Sequence, residues 1–72
     1  MKNYSIDYRD DCCKGVKDVR RRLKMARAGQ IFSFVCDENQ VSRILRVIVD
    51  NDGLISDKTS KPDGVFMTVR KT

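Results

Sequence analysis

The pattern of apolar and polar positions changes period several times along the chain, and each period predicts one element. Apolar and polar residues alternate over residues 4–9, which predicts a half-buried strand. From Val16 onward, apolar residues recur at helical spacing and basic residues fill most of the other side. We therefore expect a first helix over residues 13–28, with Gly29 as its C-cap.

The second half of the chain predicts a strand, a helix and a hairpin. Residues 30–36 are aromatic, β-branched and apolar on both faces, as in a central strand. Asp37 and Gln40 resemble a capping box, and an apolar i, i+3, i+4, i+7 pattern over residues 41–48 predicts a second helix. Weak and clear strand patterns follow over residues 54–57 and 65–69, joined by a turn at residues 62–64. The helical residues expected to face the sheet are Val16, Val19, Leu23, Val41, Ile44, Leu45 and Ile48.

These elements predict a β-α-β-α-β-β order in a single domain spanning residues 1–72. Two successive strand–helix–strand units imply parallel strands with right-handed crossovers, followed by an antiparallel hairpin. Two helices cannot cover both faces of four strands well. The expected fold class is therefore an α+β two-layer sandwich, with a mixed four-stranded sheet and both helices on one face.

Composition narrows the functional classes. The 72 residues are 35% charged and 40% apolar, which fits a small folded domain. The formal net charge of +5 is a small basic excess, of the kind often found in proteins that bind nucleic acid, anionic lipid or an acidic protein face. No apolar run approaches the roughly 20 residues of a membrane span, and the first residues lack a signal-peptide pattern. We therefore expect a cytoplasmic protein without a membrane contact, and we expect no cofactor.

The three cysteines are the residues most suggestive of chemistry. Cys12, Cys13 and Cys36 occur in a chain with no histidine, and this odd number favours free thiols over a disulfide framework. Three cysteines fall short of the usual four-ligand zinc site, and a vicinal bridge would be strained and easily reduced. If the first two strands are neighbours, all three thiols lie at one sheet edge. Each thiol is either a small buried hydrophobe or, for Cys13 at a helix N-terminus, an activated nucleophile.

Several features together resemble the TusA-like (SirA-like) sulfur-carrier family. They are Asp7-Tyr8-Arg9, Cys13 before a helix, Gly29 after it, a strand over residues 31–35, Asp37, and an amphipathic second helix. In that family a Cys-Pro-x-Pro motif opens the first helix, and its cysteine carries a persulfide sulfur to a partner. Cys13 is the matching position. The motif is degenerate here and reads Cys13-Lys14-Gly15-Val16, and Asp10 stands where the family has a glycine. The resemblance implies a mixed four-stranded sheet with both helices on one side.

A basic stripe accompanies the first helix. Its members are Lys17, Arg20, Arg21, Lys24 and Arg27, with Arg22 beside it. The stripe is either a solvated face, with Asp18 paired to Arg22, or a surface that docks RNA or an acidic protein.

Two functions follow from these observations. The first is a small sulfur carrier or thiol relay, not a stand-alone enzyme, which accepts a persulfide on Cys13 from a donor protein and passes sulfur to an acceptor protein. Cys12 and Cys36 are its possible auxiliary thiols. The alternative is a noncatalytic binding or regulatory module that uses the basic face of the first helix.

Overall fold

The computed structural model describes residues 6–9 and 14–72. In this part of the chain it has an α+β fold with two helices and three strands. In chain order these are α1 (Lys14–Met25), β1 (Ile31–Cys36), a short 3-10 turn (Glu38–Gln40), α2 (Val41–Asp50), β2 (Gly53–Lys61) and β3 (Gly64–Lys71). Neither described helix is long and apolar enough to cross a membrane.

The sheet has three antiparallel strands in the order β1-β3-β2, so the prediction of a four-stranded mixed sheet is wrong. Where a first strand was expected, residues 6–9 form one parallel bridge, between Asp7 and Val35. Its two hydrogen bonds run from Tyr8 N–H to the Val35 carbonyl (2.8 Å) and from Val35 N–H to the Ile6 carbonyl (3.1 Å). The Asp7 carboxylate then accepts the Arg9 N–H at 2.9 Å, a local turn that ends the extended pairing. The remaining residues of the expected strand, 4 and 5, lie outside the described residues.

The strands predicted over residues 30–36 and 54–57 are parallel in direction, as expected, but they are not adjacent in the sheet. β1 and β2 run in the same direction, but β3 lies between them and pairs with both in antiparallel register. The hairpin accounts for the pairing of β2 with β3. Lys61 pairs with Gly64 across Pro62 and Asp63, so β3 folds back directly alongside β2. The predicted turn and the predicted antiparallel hairpin are thereby confirmed.

Both helices pack on one face of this sheet. Phe34 of β1 and Met67 of β3 are register partners, and both are fully buried in the same core cluster. The predicted helix residues Val19, Leu23, Ile44 and Ile48 are buried in this cluster, whereas Val16, Val41 and Leu45 are only partly buried against it. On the opposite face, the Ser33 and Thr68 hydroxyls lie 2.9 Å apart. The helices therefore cover one face of the sheet and leave its other face without a helix.

The helix boundaries differ in one place from the prediction. α1 ends at Met25, and Gly29 is not its C-cap. Gly29 instead has a φ of 92° and donates its N–H to the Lys71 carbonyl at 2.7 Å, so it forms the turn that leads into β1. The predicted capping box is present at the 3-10 turn that leads into α2, where Gln40 Oε1 accepts the Asp37 N–H at 2.9 Å. α2 itself begins at Val41 without a side-chain cap.

We predict that Ile44→Ala lowers the free energy of unfolding by about 2–5 kcal/mol, because it removes a buried side chain from a tightly packed site. Ile44 is fully buried, and its neighbour Leu45 is only partly buried. Leu45→Ala is therefore the matched control and should cost clearly less. Urea unfolding of both variants measures the difference. Equal losses would show that α2 is rotated relative to the arrangement described here.

Candidate functional site

The structure places only one of the three thiols. Cys12 and Cys13 lie outside the described residues, so their predicted positions at the corner stay predictions. Cys36 is the last residue of β1 and is a fully buried free thiol. Burial raises the pKa of this thiol to about 11, with a smaller contribution from the Asp37 carboxylate. At neutral pH Cys36 is therefore protonated and shielded, which makes it a poor nucleophile.

The residues on each side of positions 10–13 have well-defined structural roles. Arg9 donates to both Asp7 carboxylate oxygens, and its Nη1 donates to the Asp63 carbonyl at 3.1 Å. This contact places Arg9 at the turn of the hairpin, near the Cys36 end of β1, because Gly64 lies against both Arg9 and the Cys36 carbonyl. The charged residues of the Asp7-Tyr8-Arg9 sequence thus join the N-terminal segment to the hairpin.

Gly15 also has a packing role. A Cβ at this position would lie 3.2 Å from Tyr8 Cβ and 3.2 Å from Ile44 Cδ1. The first turn of α1 therefore approaches both of these residues closely, and a side chain at Gly15 would force one of them to move. This close contact accounts for the glycine at the second position after Cys13.

Asp18 is the centre of a small polar cluster on α1. Its carboxylate accepts the Tyr8 hydroxyl, Arg21 Nη2 at 2.8 Å and Arg22 Nε at 2.9 Å. The pair with Arg22 confirms the predicted local pair, and the contacts with Tyr8 and Arg21 are additional. Asp18 is thus shared between one buried tyrosine and two surface arginines. We call Tyr8, Asp18, Arg21 and Arg22 the Asp18 cluster.

The cluster fixes the protonation of its members. Partial burial alone would raise the pKa of Asp18, but the hydrogen bonds from Tyr8, Arg22 and Arg21 outweigh it and hold that pKa below its ordinary value. Burial, followed by the hydrogen bond to Asp18, raises the pKa of Tyr8 far above its ordinary value. At neutral pH the carboxylate is therefore charged and the phenol is neutral.

The basic stripe separates into paired and unpaired members. Arg21 and Arg22 are paired to Asp18, and Arg27 lies beyond the end of α1. Lys17, Arg20 and Lys24 are exposed and have no carboxylate within ion-pair distance among the described residues. Their i, i+3, i+7 spacing puts them on one side of the helix. We call these three residues the free basic face.

A groove adjoins the Asp18 cluster. It has a volume of about 580 Å³ and lies between the second half of α1 and the beginning of β1. Its lining combines basic and apolar side chains: Arg21, Arg22, Met25, Ala26, Gln30, Ile31 and Phe32. Met25 is 79% exposed and Ile31 is 60% exposed. We call this feature the edge groove. The apolar pattern does not predict this groove. The signal for it in the sequence is Met25, an apolar residue that follows Lys24 and lies off the apolar face of Val16, Val19 and Leu23.

Metal binding has no support in the part of the chain that the structure describes, since no three cysteine, aspartate or glutamate side chains come together there. The chemistry offered by residues 14–72 is therefore that of fixed positive charge beside apolar surface. Reactive sulfur chemistry depends on Cys12 and Cys13.

Comparison with known proteins does not assign the chain to a family. No protein-family model matches the chain, and a search of curated proteins finds no match. The resemblance to the TusA-like sulfur carriers therefore depends on the sequence features alone. The features that bear on function are the basic residues of α1 and the cysteines.

Proposed function

We propose that this chain is a noncatalytic binding module that docks on an anionic partner through the free basic face of α1. The observation that carries this proposal is the division of the stripe. Asp18 pairs two of the arginines, while Lys17, Arg20 and Lys24 remain exposed on one side of the helix with no anion beside them among the described residues. The proposal places the protein in the cytoplasm.

The arrangement suits long-range attraction. Lys24 lies seven positions after Lys17, so the face extends for about 10 Å along the helix, roughly the screening length at physiological ionic strength. Three like charges within this length act together on an approaching anionic surface and increase its rate of encounter. Their mutual repulsion in the free protein is relieved when the partner binds.

We predict that Arg20→Glu combined with Lys24→Glu weakens binding to a glutamate homopolymer by at least about tenfold, equivalent to about 1.4 kcal/mol. Fluorescence anisotropy with a labelled polymer measures the affinity. Added salt should reproduce the loss, because these charges are exposed and screened.

The matched control is Arg43→Glu combined with Arg46→Glu on α2. Both arginines are exposed, and the double reversal changes the net charge by the same amount. We expect it to weaken binding much less. Equal losses for the two double variants would mean that net charge alone governs binding, and the free basic face would then be an ordinary solvated surface.

A second candidate function is sulfur transfer by a cysteine thiol. We propose, as the alternative, that Cys13 accepts and passes on sulfur. The supporting observation is that the described part of α1 starts at Lys14, the residue that follows Cys13 in the sequence. A helix N-terminus stabilises a nearby thiolate. The Cys13 thiolate would attack the outer sulfur of a donor persulfide, forming a new sulfur–sulfur bond and releasing the donor thiolate. An acceptor thiolate would then remove that sulfur in the same way.

We predict for this alternative that Cys13 alkylates faster than Cys36 near neutral pH and gains one sulfur from a persulfide donor. Burial and the raised pKa of Cys36 make it the internal reference for an unreactive thiol. Intact-mass analysis without reductant measures the adduct. Cys13→Ser should abolish it and Cys36→Ser should not, while a Cys12→Ser, Cys13→Ser double variant excludes capture by the neighbouring thiol. If Cys13 reacts no faster than free cysteine and no donor loads it, the carrier function is refuted.

A further inference from the structure

β2 forms one edge of the sheet, and the hydrogen bonds of β1 show which of its backbone groups face outward. Val35 bonds to the N-terminal segment on the far side of β1, so it does not bond to its register partner Phe66. Bonded and non-bonded pairs alternate in an antiparallel ladder, so Phe66 bonds instead to its other partner, Thr59 of β2. Lys58 and Ser60, on each side of Thr59, therefore direct their N–H and carbonyl groups to the outer edge.

This outer edge is unpaired along the part of the chain that the structure describes. Neither Lys58 nor Ser60 has a backbone partner there among the described residues. The described N-terminal segment, residues 6–9, joins the sheet beyond β1, at the opposite edge. Residues 57–61 are exposed, so neither helix blocks the approach of another strand. An unpaired edge of this kind is a template for a further strand.

The charges of this edge are complementary to those of a second copy of the same edge. Asp57 and Lys61 are on the sheet face without a helix, where Asp57 pairs in register with Thr68 and Lys61 lies 5.1 Å from the centre of the Phe66 ring. They are about 13 Å apart along the strand, too far to pair with each other. Neither has an ion-pair partner among the described residues. If two copies of β2 meet in antiparallel direction about Thr59, each Asp57 lies opposite Lys61 of the other copy.

The backbone pattern favours the same register as the charges. Pairing about Thr59 places Lys58 opposite Ser60 of the other copy, and these are the residues whose backbone groups face outward. A register centred on Lys58 would place two lysines opposite each other, which is unfavourable. A register centred on Ser60 would place Lys58 opposite Pro62, which has no N–H to donate.

We propose that β2 pairs with β2 of a second copy, in antiparallel direction and centred on Thr59, so that the chain forms a two-fold symmetric dimer. Two Asp57–Lys61 ion pairs lie across the interface. The register shift between Ile55 and Asp57 ends the regular edge, so the pairing covers only residues 57–61 and the dimer is weak. The assembly closes at two copies, because each copy uses its β2 edge once.

The dimer brings two copies of α1 to one side of the assembly. The two-fold axis of an antiparallel pair of identical strands is perpendicular to the sheet, so both copies keep their helices on the same side. Each α1 carries its free basic face, and a long polyanion that contacts both faces gains affinity through avidity. The inference goes beyond the proposed function and does not depend on it, because its test uses no ligand.

A charge exchange tests the ion pairs. Sedimentation velocity of the full chain, from about 10 μM to about 1 mM, covers the affinities of small interfaces and should show a reversible dimer. Asp57→Lys and Lys61→Asp each convert two attractive pairs into two like-charge pairs, so each variant alone should dimerise at least about tenfold more weakly. An equimolar mixture of these two variants has opposite charges at both contacts and should form heterodimers. The double variant, which keeps the net charge of the natural chain, should dimerise as the natural chain does.

A proline substitution tests the backbone pairing. Ser60→Pro removes an N–H that faces the outer edge and leaves the bonds to β3 in place, so we expect at least about tenfold weaker dimerisation. Ser60→Ala keeps the N–H and is the matched control, with dimerisation unchanged. Thermal unfolding of both variants verifies that they are folded, and if Ser60→Pro unfolds, the charge exchange decides.

Three results would overturn the inference. The first is a natural chain that stays monomeric at the highest concentration. The second is a mixture of Asp57→Lys and Lys61→Asp that dimerises no better than either variant alone. The third is a dimer that the charge reversals and a folded Ser60→Pro variant leave unchanged, because its interface would then lie on another surface.

Discussion

The hydrogen bond from the Tyr8 hydroxyl to Asp18 links the N-terminal segment to α1 across the core. Tyr8 is 1% exposed, and a buried phenol needs an acceptor, because leaving its hydroxyl without a partner costs about 1–3 kcal/mol. A carboxylate on α1 supplies that acceptor. The position of Asp18 then decides which arginines are held close to the helix and which basic side chains stay free. One buried contact thus organises both the packing of α1 and the charge pattern on its surface.

Local patterns predicted the elements that depend on local interactions. The second helix has a strong apolar repeat, and a capping box precedes it at the 3-10 turn, and both agree with the structure. The hairpin turn at Pro62 and Asp63 was also predictable, because proline and glycine specify turn geometry. Strand pairing was not. β3 lies between β1 and β2, and nothing local distinguishes this order from neighbouring parallel strands. The length of β2 was also underestimated, since its outer half is fully exposed and has no apolar pattern to detect.

For the candidate site, too, the sequence predicted the local interactions but not the tertiary contacts. The sequence indicates a basic helix face and a pair between Asp18 and Arg22, which helical spacing alone brings together. It does not indicate that Tyr8 contacts Asp18, because that contact requires the parallel bridge at Val35 and the close approach allowed by Gly15. The edge groove also depends on tertiary structure, since its two walls come from α1 and β1. The sequence therefore predicts the basic face of the helix, but it does not predict the groove beside that face.

α1 presents an organised positive surface, with three exposed cations and a neighbouring groove that is lined by Arg21 and Arg22. The most direct test is an amide NMR titration of the full chain with an acidic peptide. We expect chemical-shift changes concentrated at Lys17, Arg20, Lys24, Met25 and Ile31, with little change at Arg43 and Arg46 on α2. Changes of equal size at the basic residues of both helices would contradict it, because binding would then follow total charge and not this surface.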